Sequence, residues 1–422
     1  MGEEQRKNRY GDANERLYLL LSATAALLLV FGVIAQPNRH LLTGLWRIQL
    51  SEVGLITDPM AIGGGGSALV NASLVMTVGI QLIRRLKLPF TGVSFACLFM
   101  LGGFALLGKN LINIAPIILG GWLGARYRDE EFSTVIYPTI FGTCLSPLVS
   151  FLMVNGAPGV RWVTMALGGI VIGFLVPPIA RYTVRIHQGY SLYNVGFAAG
   201  FLGMGLASIL KGLGVELHAH IIWSEDGHVL LCVMVSVMLA GLFAAGVAMG
   251  CRSVRDYRVL LHHSGRAVAD FIIMDGPGRT LVNMALVGAI GFVYLLAVGV
   301  RLSGPLVCCL MSMMGFGAFG KHPRNITPVM AGAVLAALLL VQVPITAPGV
   351  LLATLLCTAL APIAGQFGWY WGVAAGFIHM TVVQNTSILH GGMNLYNNGF
   401  AAGMFCVLLI PVIEALDRKQ KE

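Results

Sequence analysis

The chain contains itself twice. His187 to Gly200 reads His-Gln-Gly-Tyr-Ser-Leu-Tyr-Asn-Val-Gly-Phe-Ala-Ala-Gly and returns from His390 to Gly403 with ten of fourteen positions identical, at an offset of 203. Leu69-Val70-Asn71 returns at 281–283, and Gly108-Lys109-x3-Asn113-Ile114-x-Pro116 returns as Gly320-Lys321-x3-Asn325-Ile326-x-Pro328, both at an offset of 212. The halves therefore differ by a net nine-residue deletion between these blocks. A repeat this long is not a solenoid unit. In an apolar chain it marks a transporter or channel built from two related bundles.

The repeat has to be accommodated in lipid. Hydrophobic residues make up 57% of the chain and charged ones 11%, against about 25% charged in a soluble domain. Apolar runs long enough to cross roughly 30 Å of hydrocarbon recur throughout. They lack the alternation that a transmembrane barrel needs. The expected fold is an all-α, polytopic transmembrane bundle. Its spans are placed near 17–36, 66–83, 89–107, 111–125, 132–154, 162–180, 190–210, 228–250, 280–300, 303–319, 325–343, 347–364, 368–387 and 394–416. The segments 89–125 and 303–343 are candidates for re-entrant pairs.

The net charge of +9 follows topology, not a nucleic-acid partner. With both termini cytoplasmic, as expected in a bacterial inner membrane, 21 of the 27 Lys and Arg residues fall inside and 6 outside, Lys109 among the latter and Lys321 among the former. Equivalent loops carry opposite bias: Arg84, Arg85 and Lys87 face only Arg301 in the second half, whereas the loop 37–58 is poor in basic residues and its partner holds Arg252, Arg255, Arg258 and Arg266. Seven segments per half, an odd number, demand the same inversion. The organisation expected is a tail 1–11, repeat one at 12–206, an external linker 207–223, repeat two at 224–416 and a tail 417–422.

Several chemistries drop out. The start of the chain resembles a secretory signal, but its apolar run from Leu17 matches the span near 228–250, so cleavage would leave one half short. Seven of the eight cysteines fall in spans, with Cys251 at an edge and no Cys-x2-Cys pair, which suits apolar packing better than metal or disulfide chemistry. The linker offers His218-x-His220 with carboxylates nearby, a loose spacing without a counterpart in the other half. No catalytic constellation, metal set or cofactor motif stands out, so an enzyme is not expected.

The candidate functional residues are those the duplication retains. Lys109 and Lys321, between Gly and an Asn-x2-Pro element with Asn113 and Asn325, read as breaks between apolar segments. Glycine permits the turn, proline removes a donor, and the following helix presents free N–H groups beside a lysine. That suits an anionic or dipolar solute; the alternative is a turn with a snorkelling lysine. Asn194 and Asn397 precede Gly-x3-Gly steps that allow close helix approach, and an amide at membrane depth must find a partner. His187 and His390 lie just upstream of them, as pore-facing or packing residues. Asp58 and Asp270, at an offset of 212, are candidates for coupling to H⁺ or Na⁺, or else surface charges ahead of their spans.

The doubled Tyr-Asn-x-Gly-Phe-Ala-Ala-Gly and Gly-Lys-x3-Asn-Ile-x-Pro blocks resemble an uncharacterised bacterial family of polytopic membrane proteins, a domain of unknown function, over nearly the whole chain. A weaker resemblance is to urea transporters, whose Tyr-Asn helix start and Leu-Pro pore segment are echoed by Tyr193-Asn194, Tyr396-Asn397 and Leu88-Pro89-Phe90-Thr91; Leu302-Ser303-Gly304-Pro305 departs from that pattern. The expectation is a permease in the lipid bilayer for a small polar or anionic solute, working by alternating access between two inverted repeats. A urea-transporter-like channel is the alternative, with an intramembrane enzyme or sensor behind it. A homo-oligomer is compatible with either.

Overall fold

The computed structural model describes residues 3–36, 40–217, 221–340 and 342–419. Fourteen helical segments follow the fourteen expected spans, and a further helix, His40–Leu50, lies where a loop is expected at 37–58. In the first half these are α1 (Glu3–Ala35), α2 (Gly65–Arg85), α3 (Gly92–Phe104), α4 (Leu111–Tyr127), α5 (Ile136–Asn155), α6 (Arg161–Ile186) and α7 (Asn194–Gly212). The second half repeats them as α8 (His228–Ala248), α9 (Pro277–Val298), α10 (Gly304–Gly317), α11 (Pro323–Leu339), α12 (Pro348–Phe367), α13 (Trp369–Thr386) and α14 (Asn397–Lys419). Among the described residues nine helices are long and apolar enough to cross a bilayer, and α3, α10 and α11 are shorter. The protein is a polytopic helical membrane protein of two inverted repeats. His218 and His220 lie outside the described residues.

The short helices form two hairpins, α3–α4 and α10–α11. A helix of 13 residues rises about 20 Å, less than a bilayer core. The pairs sit side by side and antiparallel: Gly103 near the end of α3 packs against Cys308 and Met311, while Gly315 near the end of α10 packs against Phe99 and Ala96. Each tip abuts the start of the other hairpin. Asp270, bridged to Phe319 at the second tip, accepts from Gly92 N at 2.8 Å and Val93 N at 3.1 Å at the start of α3. Asp58, at the first tip, faces the backbone N–H of Gly304 at the start of α10.

Two further junctions cross between the repeats. The expected spans near 132–154 and 347–364 are each broken, by 3₁₀ turns at Thr143–Leu145 and Cys357–Leu360. The reason is local: Pro147 and Pro362 open the second segments, where a missing N–H is tolerated. Within the apolar runs these prolines are the one local mark of the breaks. Carbonyls freed at these turns are used by the opposite repeat, since Leu192 N donates to Ala359 O and Leu395 N to Cys144 O, each at 3.0 Å. Next to these clasps, α7 and α14 cross at their N-terminal ends, where a Cβ on Gly196 would stand only 3.0 Å from Gly399 Cα. A two-residue parallel pair, β1 (Ile56–Thr57) with β2 (Ile221–Ile222), closes one end.

Candidate functional site

The hairpin tips are built to hold a lysine inward. Gly108 and Gly320 take φ of +122° and +96°, which L side chains rarely adopt, and so turn the chain after α3 and α10. Asn71 then donates to Ala105 O at 3.2 Å and Lys109 O at 2.8 Å; Asn283 does the same for Gly317 O at 2.6 Å and Lys321 O at 2.7 Å. Asn113 and Asn325 close capping boxes at the starts of α4 and α11 and donate back to Gly108 O and Gly320 O at 3.0 and 2.9 Å. Pro116 and Pro328 lie inside those helices, well past the break.

Lys109 and Lys321 are both 0% exposed. This corrects their assignment to opposite aqueous loops and leaves neither ammonium free to snorkel. Each reaches into the other repeat. Lys109 Nζ donates to Tyr396 Oη at 2.7 Å, and Lys321 Nζ donates to Tyr193 Oη at 2.7 Å and to Thr358 Oγ1 at 2.8 Å. Phe104 and Phe316 complete the cages, with Lys109 4.6 Å from the Tyr396 ring centre and Lys321 4.5 Å from that of Tyr193. Such faces attract a cation. No carboxylate pairs with either lysine among the described residues. Tyr193 and Tyr396 are retained by the duplication, but their partners are not legible locally, since the contact that gives them a role spans 128 and 287 residues of chain.

The other duplicated polar residues brace this centre. Asn194 Oδ1 accepts from Thr183 Oγ1 at 2.8 Å and meets His187 Nε2 at 2.9 Å, while its amide donates to Ala180 O at 2.8 Å. Asn397 repeats the pattern with Thr386, His390 and Val383 O at 2.9, 2.9 and 3.3 Å. These networks tie the end of α6 to the start of α7, and α13 to α14. The buried cysteines Cys97, Cys144, Cys308, Cys309 and Cys357 pack around the lysines, and all eight thiols are free.

Asp58 and Asp270 are helix caps. Asp58 Oδ1 accepts from Met60 N at 2.9 Å and Oδ2 from Ser224 N at 3.3 Å. Burial outweighs these bonds and pushes the Asp58 carboxyl up to about 7, with Asp226 nearby acting in the same direction. A carboxyl raised this way stabilises the fold fully below its unfolded value of about 3.9, and that contribution is lost as pH rises through about 7. The melting temperature of the purified protein should therefore fall between about pH 4 and pH 7 and level off above that. In Asp58→Asn that slope should flatten; an unchanged slope would assign it to another group.

Two cavities flank the centre, and the duplication relates them. One, of about 280 Å³, opens at the end carrying Arg181 and Ala267, and is walled by Met100, Phe141, Phe316 and Phe319 up to Tyr193 and Tyr396. The other, of about 160 Å³, lies at the opposite end between Ile56, Leu352, Gln384, Leu395 and Asn397. Leu192, Asn194 and Arg181 of the first correspond to Leu395, Asn397 and Gln384 of the second at the 203 offset. The larger cavity reaches the tyrosines; the smaller stops short of them.

Inverted hairpins, crossed half-sites and two-fold-related cavities define a membrane protein of the inverted-repeat class. The chain belongs to the family described as Protein of unknown function (DUF1576), which matches residues 37–212 and again 250–415. The two matched stretches fall one in each repeat. No curated protein and no solved structure matches the chain, so the likeness to urea transporters gains no support.

Proposed function

We propose that this protein is a permease that moves a small polar or anionic solute across the membrane by alternating access. The observation that carries the reading is the inequality of the two related cavities. In an inverted repeat, the two halves can exchange conformations, which would close the larger cavity and open the smaller one onto the same central residues. The hairpins α3–α4 and α10–α11 supply the centre, where each lysine-backed tyrosine comes from the opposite repeat. Two buried ammoniums without carboxylate partners favour a solute with negative charge or a strong dipole. The positive-inside bias favours a cytoplasmic opening for the larger cavity.

The test is transport by the full chain in proteoliposomes, over a panel of urea, ammonium, small carboxylates and nucleobases. A carrier gives saturable uptake and accelerated exchange when unlabelled solute is preloaded. Uptake proportional to the gradient, with no such exchange, would replace the carrier by a channel with fixed bundles. No movement of any solute in the panel would count against both.

A further inference from the structure

We infer that the solute of the larger cavity is a small organic monoanion with an apolar body. This rests on the permease reading and narrows it to one substrate class. A cavity of about 280 Å³ is many times the roughly 10–15 Å³ that one water needs, so it has room for a small organic solute. Most of its wall is apolar, from Val93, Ala96 and Met100 on one side to Phe141, Phe316 and Phe319 on the other. A fully hydrated inorganic anion would leave that wall in contact with its water shell. An apolar body would gain about 25 cal/mol for each Å² of surface buried there.

The polar groups at the inner end select the charge. No Asp or Glu lines the cavity. The Asn194 amide is committed to Thr183, His187 and Ala180, and the Tyr137 hydroxyl pairs with Ser94 at 2.8 Å. Three hydroxyls are differently placed. Ser191 Oγ, in a residue 0% exposed, has no partner among the described residues. Tyr396 Oη accepts from Lys109 and Tyr193 Oη from Lys321, which leaves each tyrosine its own proton to donate. A carboxylate at the inner end would accept from such hydroxyls, and the tyrosine ones are backed by buried ammoniums. The related position in the second repeat is Asn394, whose amide is used by Gly196 O and whose oxygen accepts from Tyr396 N. The free hydroxyl therefore exists on one side only. At the mouth, Arg181 is paired with Glu130, whose carboxyl it holds below the usual range, so the cavity rim carries no net negative field.

The experiment is calorimetric titration of the detergent-purified full chain with benzoate, benzamide, acetate and benzylammonium, each probe alone. Benzoate should bind at least tenfold more tightly than benzamide, which has the body without the charge, and than acetate, which has the charge without the body. Tyr396→Phe and Ser191→Ala should each remove about tenfold of the preference for benzoate over benzamide, the range expected for a hydrogen bond to a charged group. Equal binding of benzoate and benzamide would overturn the anionic assignment. Acetate binding as tightly as benzoate would overturn the apolar body, and binding of none of the four would overturn both. The permease reading fails separately: if benzoate binds as expected but shows no counterflow in proteoliposomes, the solute class stands and transport does not.

Discussion

The Lys109→Met, Lys321→Met double variant should fold and fail to transport. Methionine keeps the apolar stem and fills nearly the same volume, and exchanging a buried charge for a well-packed apolar residue is often neutral in stability. What is lost is one donor behind Tyr396 and one behind both Tyr193 and Thr358. Leaving those hydroxyls with one partner fewer costs about 1–3 kcal/mol each at most. The charge-assisted bonds are worth about 1.5–3 kcal/mol each, and a tenfold change is about 1.4 kcal/mol, so uptake should fall by roughly a hundredfold or more. Lys321→Met alone should be the more damaging single change, because that ammonium holds two hydroxyls and Lys109 holds one. Normal uptake by a double variant that melts near the parent temperature would remove the lysines from the mechanism.

The second large effect concerns the crossing of α7 and α14. A Cβ at Gly200 would run into the ring of Phe400, and one at Gly403 into the ring of Phe197. The same rings pack against His390 and His187, at 5.9 and 6.0 Å between centres, so they cannot retreat without disturbing the braces beneath. Gly200→Ala should cost about 1–3 kcal/mol through overpacking, and the Gly200→Ala, Gly403→Ala pair should lower the melting temperature further than either alone. At Gly205, on the same helix, a Cβ would meet nothing within 4 Å. There Ala should be neutral or stabilise by up to about 1 kcal/mol, as helix propensity alone dictates. Thermal melts of the variants in one detergent decide the matter. Equal tolerance at Gly200 and Gly205 would mean that the two repeats do not meet here.

Much of the candidate site could be read before any fold was known. Lys109 and Lys321 stood out because a charged residue retained twice in an apolar setting is hard to explain otherwise. The glycines before them were legible as turns, and the Gly-x3-Gly steps as a close crossing. The amides of Asn113, Asn325, Asn194 and Asn397 were legible as groups needing partners, but not which partners. They bond to backbone and side chains within their own repeat, close the helix starts and fix the loop that carries each tyrosine. Asp58 and Asp270 were visible as equivalent carboxylates, yet their contacts at the start of the facing hairpin arise from segments far apart in the chain.

By itself the sequence determined the class of fold, the two repeats, their inversion and the fourteen helical segments, because apolar length, charge bias and duplication are properties of the chain read in order. Tertiary structure decided what those segments do. Pro147 and Pro362 mark the 3₁₀ breaks at Thr143–Leu145 and Cys357–Leu360 locally, but that the freed carbonyls take Leu395 N and Leu192 N of the other repeat is settled only by packing. The pairing of each lysine with the other repeat's tyrosine depends on an antiparallel packing of hairpins that no local pattern encodes. The two halves share their motifs but not the fit of their cavities, and only packing of one repeat against the other could make one end open to the centre and leave the other short of it.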